Sequence, residues 1–440
     1  MKNWNPCLLG LCLVAVLAPS VVAAEKDSPP SPSIPVAPAT LEALVAEVVE
    51  RNPELNFYRA EIAAAKGERR TAAAWANPEL SATIGQKQVR GGGLSDEGLA
   101  WSVGVQQTIE WPGRLPLRKA IANHQVQLAE LGLAQFKSAL AARTRALAYA
   151  ALASQEKEAV AQEVAGRFEQ LREVLVQRDP AGLTSLLETR IIEATELTLK
   201  RKSSEAALAA QSAMLELNQL RGVPWTNMLK LEPASLAFTN APHMDALLAA
   251  THTNNFDLRM RQFEVEQQGF KVSLAQKEGY PAFTVGPYFS QERAGDREQQ
   301  AGVAVSLPLP LWNRSKGGVE VAEARQRQAE TTLLVLQREI ERKVVAAALT
   351  YDTKLREMAK WRADSLAEFR KAAELADRHY RLGAVPIATY VELQKQYLEA
   401  VEALLDTKCE ALEAAQELQR LTGLDFDAVK VSDPRKEEAK

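Results

Sequence analysis

The stretch that decides the fold is LAWSVGVQQTIEWPGRLPLRKA, residues Leu99–Ala120. In its first half, mostly apolar side chains at odd-numbered positions alternate with small or polar side chains at even-numbered positions. A period of two is typical of a strand with one apolar and one polar face. The strand ends at Trp111-Pro112-Gly113, because proline cannot donate to a ladder and glycine permits a bend. A long helical pattern begins directly afterwards.

The same unit returns as AGVAVSLPLPLWNRSKGG, residues Ala301–Gly318. The interval between Asn52 and Asn255 equals that between Pro78 and Pro281. This interval, about 200 residues, is too long for a solenoid repeat. The sequence therefore predicts a duplicated domain, each copy of which contains a helix, a β-hairpin, a long helix and a shorter helix.

The predicted organisation has five segments. They are a secretory signal peptide over residues 1–24, a proline-rich tether over 25–40, a first repeat over 41–229 with its hairpin at 79–110, a second repeat over 243–425 with its hairpin at 282–310, and a polar tail over 426–440. The first long helix is predicted over Leu117–Gln177, about 90 Å in length. In the second repeat we expect helices over Met244–Glu278, Val319–Arg381 and Pro386–Leu421, the last with a coiled-coil seam of sevenfold-spaced apolar residues.

The composition and motifs do not favour an enzyme or a nucleic-acid-binding protein. The chain has 440 residues, and its net charge of −3 does not suggest a strongly charged partner. Its four histidines are scattered without the spacing of metal ligands, and no glycine-rich phosphate loop or nucleophile elbow occurs. We therefore expect no catalytic residue, no cofactor and no metal site.

The strands point to a membrane pore. Each has about the 9–11 residues that cross a bilayer when tilted. Four strands cannot close a barrel, and open edges are not tolerated in lipid, so the barrel must be shared between subunits. Two chains would give eight strands and a filled interior, whereas three would give twelve strands and a lumen. The apolar residues of both alternating stretches fall on one face of their strands. We therefore predict lipid-facing side chains at Trp101, Val103, Val105, Val303 and Val305.

Aromatic residues mark the places where the strands meet the helices. Trp75, Trp111, Tyr280 and Trp312 lie at these junctions, as an interfacial aromatic girdle would. Pro287, inside a predicted strand, indicates a bulge or a locally unpaired position.

The sequence resembles the TolC-type outer-membrane efflux proteins over nearly the whole mature chain. The resemblance is carried by the duplicated element order, by QTIEWPGR at 107–114 and LPLPLWNR at 307–314, and by RLGAVP at 381–386. It implies a mainly α protein with a transmembrane β-barrel, in which a homotrimer forms a twelve-stranded barrel on a long α-helical tunnel. It also implies a Gram-negative outer-membrane location reaching into the periplasm, and two partners: a periplasmic adaptor and an inner-membrane pump.

Two motifs indicate which branch of these efflux proteins the sequence resembles. The EWPGR version at 110–114 and NPEL at 77–80 look most like the branch that serves heavy-metal pumps of the resistance–nodulation–division type. The function implied is a passive outer-membrane duct of a tripartite efflux system, exporting heavy-metal cations. Two alternatives stay open: a duct for multidrug efflux or type I protein secretion, and a periplasmic coiled-coil scaffold without a pore.

By the same resemblance, the two helix–helix turns farthest from the barrel form the periplasmic tip, where the adaptor docks and the tunnel narrows. The residues assigned to these turns are Arg178, Gly182, Leu183, Arg381, Leu382 and Gly383. Four nearby acids would become rings of negative charge in a trimer if they faced the lumen, and such rings favour cations. They are Glu169, Glu173, Glu374 and Asp377. An ordinary solvated surface is the alternative for each of these acids.

Overall fold

The structure is a computed structural model that describes residues 39–432, except for 92–93, 178–182, 228, 312–314, 363 and 425–428. The predicted signal peptide and nearly all of the proline-rich tether lie outside the described residues. The described helices are α1 Leu41–Arg51, α2 Leu55–Ala72, α3 Arg114–Gln177, α4 Leu183–Arg221, α5 Met244–Asn254, α6 Phe256–Glu278, α7 Lys316–Ala359, α8 Ser365–Arg381 and α9 Ile387–Thr422. The described strands are β1 Glu79–Gly91, β2 Leu94–Ile109, β3 Ser235–Phe238, β4 Phe283–Ala294, β5 Asp296–Ser306 and β6 Val429–Ser432.

The duplication is visible in the order of these elements. The series α1, α2, β1, β2, α3 and α4 returns as α5, α6, β4, β5, α7, α8 and α9. In each repeat the first helix is interrupted, at Asn52 and at Asn255. Pro53 predicts the first interruption. The single helix expected over Met244–Glu278 is wrong, because Asn255 leaves the helical conformation and caps α6 by accepting from the Leu258 N–H at 3.0 Å.

The short helices stack end to end beside a long one. Both α2 and α4 pack along α3, while α6 and α9 pack along α7. The end of α4 meets the start of α2, where Gly222, at a φ of 69°, lies against Pro53. The end of α9 meets the start of α6 in the same way, with Gly423 at a φ of 61°. Only glycine adopts this left-handed conformation without strain.

The single long helix expected over Val319–Arg381 is also wrong, since the structure divides it into α7 and α8. The last turn of α7 tightens, as the Trp361 N–H donates to the Met358 carbonyl at 3.0 Å. The Arg362 N–H then donates to Ser365 Oγ at 3.0 Å, at the first residue of α8. Because this break uses side-chain and tightened-turn hydrogen bonds, no proline or glycine marks it in the sequence.

The larger sheet joins the two repeats. Its strand order is β1-β2-β4-β5, all antiparallel, and the contact between β2 and β4 pairs Val103 with Phe289. The ladder between β2 and β4 is interrupted between the pairs Gly104↔Tyr288 and Gln107↔Val285, and Pro287 of β4 lies in this interruption. Pro287 is thus unpaired toward β2, as predicted, while on its other side it is in register with Val303 of β5.

A second sheet was not predicted from the sequence. It pairs β3, which follows the first repeat, with β6, which lies within the predicted polar tail. Ala39 forms a further parallel bridge with Leu231.

The helical core is a seam between the long helices. Leu398, Leu405 and Leu412, whose sevenfold spacing predicts a coiled-coil contact, are buried there. Phe168 of α3 and Tyr390 of α9 are the largest buried rings that meet across this seam, with centroids 5.1 Å apart. Among the described helices, none has a stretch long and apolar enough to cross a membrane.

Candidate functional site: sheet faces, wall edges and helix tip

One face of the larger sheet is apolar across all four strands. The register places Ala82, Val103, Phe289 and Ala301 side by side, and Ile84 beside Trp101. The five positions expected to face lipid all lie on this face: Trp101, Val103, Val105, Val303 and Val305. The rings of Trp101 and Phe289 meet with centroids 5.5 Å apart. A single protomer leaves most of this apolar surface exposed.

The opposite face is built from small and polar side chains. Ser81, Gly104, Tyr288 and Gly302 lie side by side there, and Ser81 Oγ donates to the Gly104 carbonyl at 3.3 Å. The Tyr288 ring lies across Gly302, since a Cβ on that glycine would be 2.9 Å from Tyr288 Cε1. A Cβ on Gly104 would be 3.3 Å from Tyr288 Cβ, so this position is tightly packed. The sheet therefore has the two-faced character of a pore wall.

The helices form a wall in the same order as the strands. Next to the sheet the order is α2, α3, α6, α7, which follows β1, β2, β4, β5. One side of the protomer is thus formed by β1, α2 and α4, and the other side by β5, α7 and α8. Exposed large apolar side chains occur on both outer sets of helices, at Phe57, Leu187, Leu197, Leu208, Leu334, Val335, Leu349 and Phe369. Both sides end in unsatisfied strand edges and apolar helix surface.

The junctions between strands and helices are fixed by aromatic and arginine contacts. Trp111 stacks on Tyr280 with centroids 5.0 Å apart. Arg114 donates from Nη2 to the Lys277 carbonyl at 3.0 Å, and also to the Tyr280 carbonyl. Gly113, at a φ of 92°, makes the turn between β2 and α3. Trp75 lies exposed at the neighbouring junction, while Trp312 lies outside the described residues.

The structure describes one of the two predicted tip turns. Gly383, at a φ of 74°, turns the chain from α8 to α9, and the Leu382 side chain is 74% exposed beside it. Arg381 donates from Nε to Asp377 Oδ2 at 2.9 Å. Arg178 and Gly182 lie outside the described residues. Leu183 begins α4, and its side chain is not among those described.

Three of the four candidate acids have cationic partners within the protomer. Glu169 lies 3.4 Å from Lys200 of α4, and Asp377 pairs with Arg381. Glu374 lies 3.4 Å from Arg370 and 3.6 Å from Arg167. The fourth acid, Glu173, is exposed on α3. These acids therefore belong to salt bridges and solvated surface in one protomer.

A buried polar network near the tip was missed from the sequence. Gln394, fully buried on α9, donates to the Ala373 carbonyl of α8 at 2.7 Å and accepts from Arg167 Nη1 of α3 at 3.2 Å. Arg167 and Arg370 share the Glu163 carboxylate, at 2.7 and 3.1 Å. The Glu163 charge raises the pKa of Arg370. Gln394 interrupts the apolar seam between Val391 and Leu398, the one sequence signal that could have revealed this network.

Tyr390 lies beside this network. Its ring stacks on Tyr380 with centroids 5.2 Å apart, and Tyr380 reaches Glu188 of α4 at 3.4 Å. Burial, followed by the nearby Asp377 charge, raises the pKa of Tyr390. Contacts between side chains thus connect α8 to α3, α4 and α9 at this end of the wall. In the part of the chain that the structure describes, no group of three or more His, Cys, Asp or Glu residues is placed to hold a metal ion.

Residues 247–424 match the family model described as outer membrane efflux protein. Over this part of its length, the chain is similar to the outer-membrane efflux family. The resemblance to TolC-type efflux proteins is thereby confirmed, together with the outer-membrane location. The family and the relatives given below are named for resistance, export, efflux and channels rather than for catalysis.

Two curated relatives extend the similarity over most of the chain. It is 21% identical over 422 residues to the cobalt-zinc-cadmium resistance protein CzcC of Cupriavidus metallidurans, covering 94% of this chain and 98% of that protein. It is 23% identical over 414 residues to the pyoverdine export outer membrane protein OpmQ of Pseudomonas aeruginosa, covering 87% of this chain and 85% of that protein.

Solved structures share the fold. A crystal structure of CusC superposes with a TM-score of 0.70 at 14% identity, covering 87% of this chain and 91% of that chain. The CmeC outer membrane channel of Campylobacter jejuni superposes with a TM-score of 0.71 at 14% identity, covering 91% and 88%. The chain therefore shares the fold of these channels, and it is mainly helical.

Proposed function

We propose that three copies of this protein close into a twelve-stranded barrel on a helical tunnel, a passive efflux duct through the outer membrane and into the periplasm. The observation that carries this proposal is the two-faced sheet with its open edges at β1 and β5. An apolar outer face suits lipid, and a closed ring removes both unpaired edges. Joining the β1 side of one copy to the β5 side of the next is a head-to-tail contact, which generates rings.

A duct needs an open lumen, and this requirement favours three copies of the chain over two. Two copies would give eight strands, whose interior fills with side chains. Tyr288 and the other side chains of the polar face would then occupy the centre. Three copies leave an open passage lined by this face.

We propose that heavy-metal cations are the exported substrates. Two observations support this substrate: the similarity to a protein named for cobalt, zinc and cadmium resistance, and the presence of the EWPGR and NPEL motifs. The alternative is multidrug efflux or type I protein secretion. A specific observation keeps export of organic molecules open, since OpmQ, named for pyoverdine export, matches at a similar level of identity.

The proposed partners are a periplasmic adaptor, docking at the tip turns, and an inner-membrane pump of the resistance–nodulation–division type. Exposed Leu382 at the α8–α9 turn offers an apolar contact for the adaptor. The tip acids Glu169, Glu173, Glu374 and Asp377 remain candidates for the constriction. An inward-facing member would become a threefold ring that favours cations.

Planar-bilayer recording with the purified mature protein tests the duct. We expect discrete channel openings; a protein that gives none would be a scaffold without a pore. A strain lacking the gene, complemented with the wild type, tests the substrate by growth on zinc, cobalt and cadmium against growth on antibiotics. Restored growth on antibiotics but not on metals would overturn the heavy-metal assignment.

The same strain tests adaptor docking. We expect Leu382→Asp to form normal levels of outer-membrane trimer but to abolish resistance, because a carboxylate replaces the apolar contact. The exposed Trp225→Asp, in the connection after α4 and away from the turn, measures what a charge at an exposed apolar position does by itself. Full resistance in Leu382→Asp would remove this turn from docking.

A further inference from the structure

A cavity of about 200 Å³ lies where β2 gives way to α3. The rings of Trp75 and Trp111 and the Leu115 side chain form its apolar part. Its charged part is a pair, Glu110 and Arg118, from the two sides of the Trp-Pro-Gly turn. The cavity thus combines aromatic walls with one positive and one negative group.

The charged pair leaves hydrogen-bonding capacity unused. Arg118 Nη2 donates to Glu110 Oε2 at 2.7 Å. Arg118 Nε is buried, and within the described residues it has no hydrogen-bond partner. Nε itself is out of a ligand's reach because it has almost no accessible surface, but the Arg118 side chain is 35% exposed, and its remaining guanidinium N–H groups can donate to an acceptor. Glu110 Oε1, the second oxygen of its carboxylate, can accept from another cation.

The cavity lies at the level where lipid headgroups would be. Trp111 lies two residues beyond Ile109, which is the last residue of β2 and is on its apolar face. It stacks on Tyr280 of the next junction, and both rings are exposed. Aromatic rings at such positions occupy the interface between hydrocarbon and water. This placement rests on the proposed function, in which the helical end of the sheet faces the periplasm.

We propose that this cavity binds a zwitterionic phospholipid whose headgroup carries a phosphate and a primary ammonium, as in phosphatidylethanolamine. A phosphate oxygen accepts from the exposed part of the Arg118 guanidinium, and the ammonium donates to the Glu110 carboxylate. The glycerol and the first methylenes of the acyl chains pack against Trp75 and Trp111.

The charges of the site select this class of lipid. An anionic phosphatidylglycerol would satisfy Arg118 but would bring its negative charge close to Glu110 with no headgroup ammonium to offset it. A choline headgroup has no N–H to donate to Glu110. A free phosphate lacks the chains that the aromatic walls cover.

Lipid counting tests the proposal. The trimer is purified, stripped of lipid in detergent, and titrated with phosphatidylethanolamine, phosphatidylcholine or phosphatidylglycerol of identical acyl chains. Native mass spectrometry then counts the lipids retained. We expect the ethanolamine lipid to bind about tenfold more tightly than the other two, the factor that one charge-assisted hydrogen bond supplies.

Two variants and a control sharpen the test. Glu110→Gln should abolish the preference for ethanolamine over choline, and Trp75→Ala should weaken binding of all three lipids. Glu216→Gln, which removes a half-buried helix carboxylate that pairs with Arg143, should leave binding unchanged. Equal binding of the three lipids to the wild type would overturn the proposal, as would a full preference retained in Glu110→Gln.

Conductance measured on the same preparations separates this inference from the proposed function. Channels without lipid preference would contradict the lipid site alone. A preparation that forms neither trimers nor channels would contradict the duct itself.

Discussion

Asn255 Nδ2 donates a hydrogen bond of 2.7 Å to the Leu421 carbonyl, which joins the start of α6 to the end of α9. Asn52 makes the equivalent bond of 2.8 Å to the Leu220 carbonyl in the first repeat. Both asparagines are at most 4% exposed. The last carbonyls of a helix have no partner within it, so these bonds satisfy groups that would otherwise be buried and unpaired. They hold the short helices of each repeat end to end.

Replacing Asn255 by alanine should lower the free energy of unfolding by about 2–3 kcal/mol, through loss of the helix cap and of the bond to Leu421. Denaturant titration followed by circular dichroism in detergent measures this change. The neighbouring Asn254→Ala, at an exposed position, is the control. Equal midpoints for Asn255→Ala and Asn254→Ala would contradict the role of this bond.

Adjacent positions on β1 test which face of the sheet meets lipid. Ile84 is 81% exposed on the apolar face, and Gly85 lies on the polar face with open space around its Cα. Arginine at Ile84 should cost about 2–4 kcal/mol if it lies near the midplane, and should reduce the yield of membrane-inserted trimer. Arginine at Gly85 should be tolerated. Heat-modifiable migration of outer-membrane extracts gives the yield of each variant, and a lower yield for Gly85→Arg would reverse the faces.

The main elements of this fold could be predicted because their signals are local. The alternation around Val103 and Val303 identifies both hairpins and their apolar face, and the repeat identifies the duplication. The break after Ala359 carries no proline or glycine, so the helical periodicity of the sequence continues across it. The pairing of β3 with β6 joins short segments nearly 200 residues apart, for which no periodic pattern exists. The bonds of Gln394 to α3 and α8 depend on how three helices pack, which local sequence does not encode.

The salt bridge between Arg381 and Asp377 tests gating at the tip. Removing the positive charge with Arg381→Ala should raise the resting single-channel conductance, because the α8–α9 turn loses a contact that holds it in place. Arg356→Ala breaks a similar bridge to Asp352 on exposed α7 and should leave conductance unchanged. Wild-type conductance in Arg381→Ala trimers would exclude this salt bridge from gating.

Cys409 provides a test of packing along α9. Burial raises the pKa of its thiol to about 11, from an ordinary value near 9. The folded protein thus keeps the proton where the unfolded chain loses it, so this group's contribution to stability is present below pH 9 and is lost as pH rises toward 11. At pH 8 we expect iodoacetamide to alkylate Cys409 far more slowly in the folded protein than in guanidinium. Equal rates in the two states would show that the thiol is not protected.

The central claim is that three chains share one closed barrel. Light scattering coupled to gel filtration in mild detergent, with the detergent contribution subtracted, measures the mass of the protein component directly. We predict a single species of three mature chains that stays intact on dilution, because separation would expose the edges of β1 and β5. A monodisperse species of one or two chains would contradict the account.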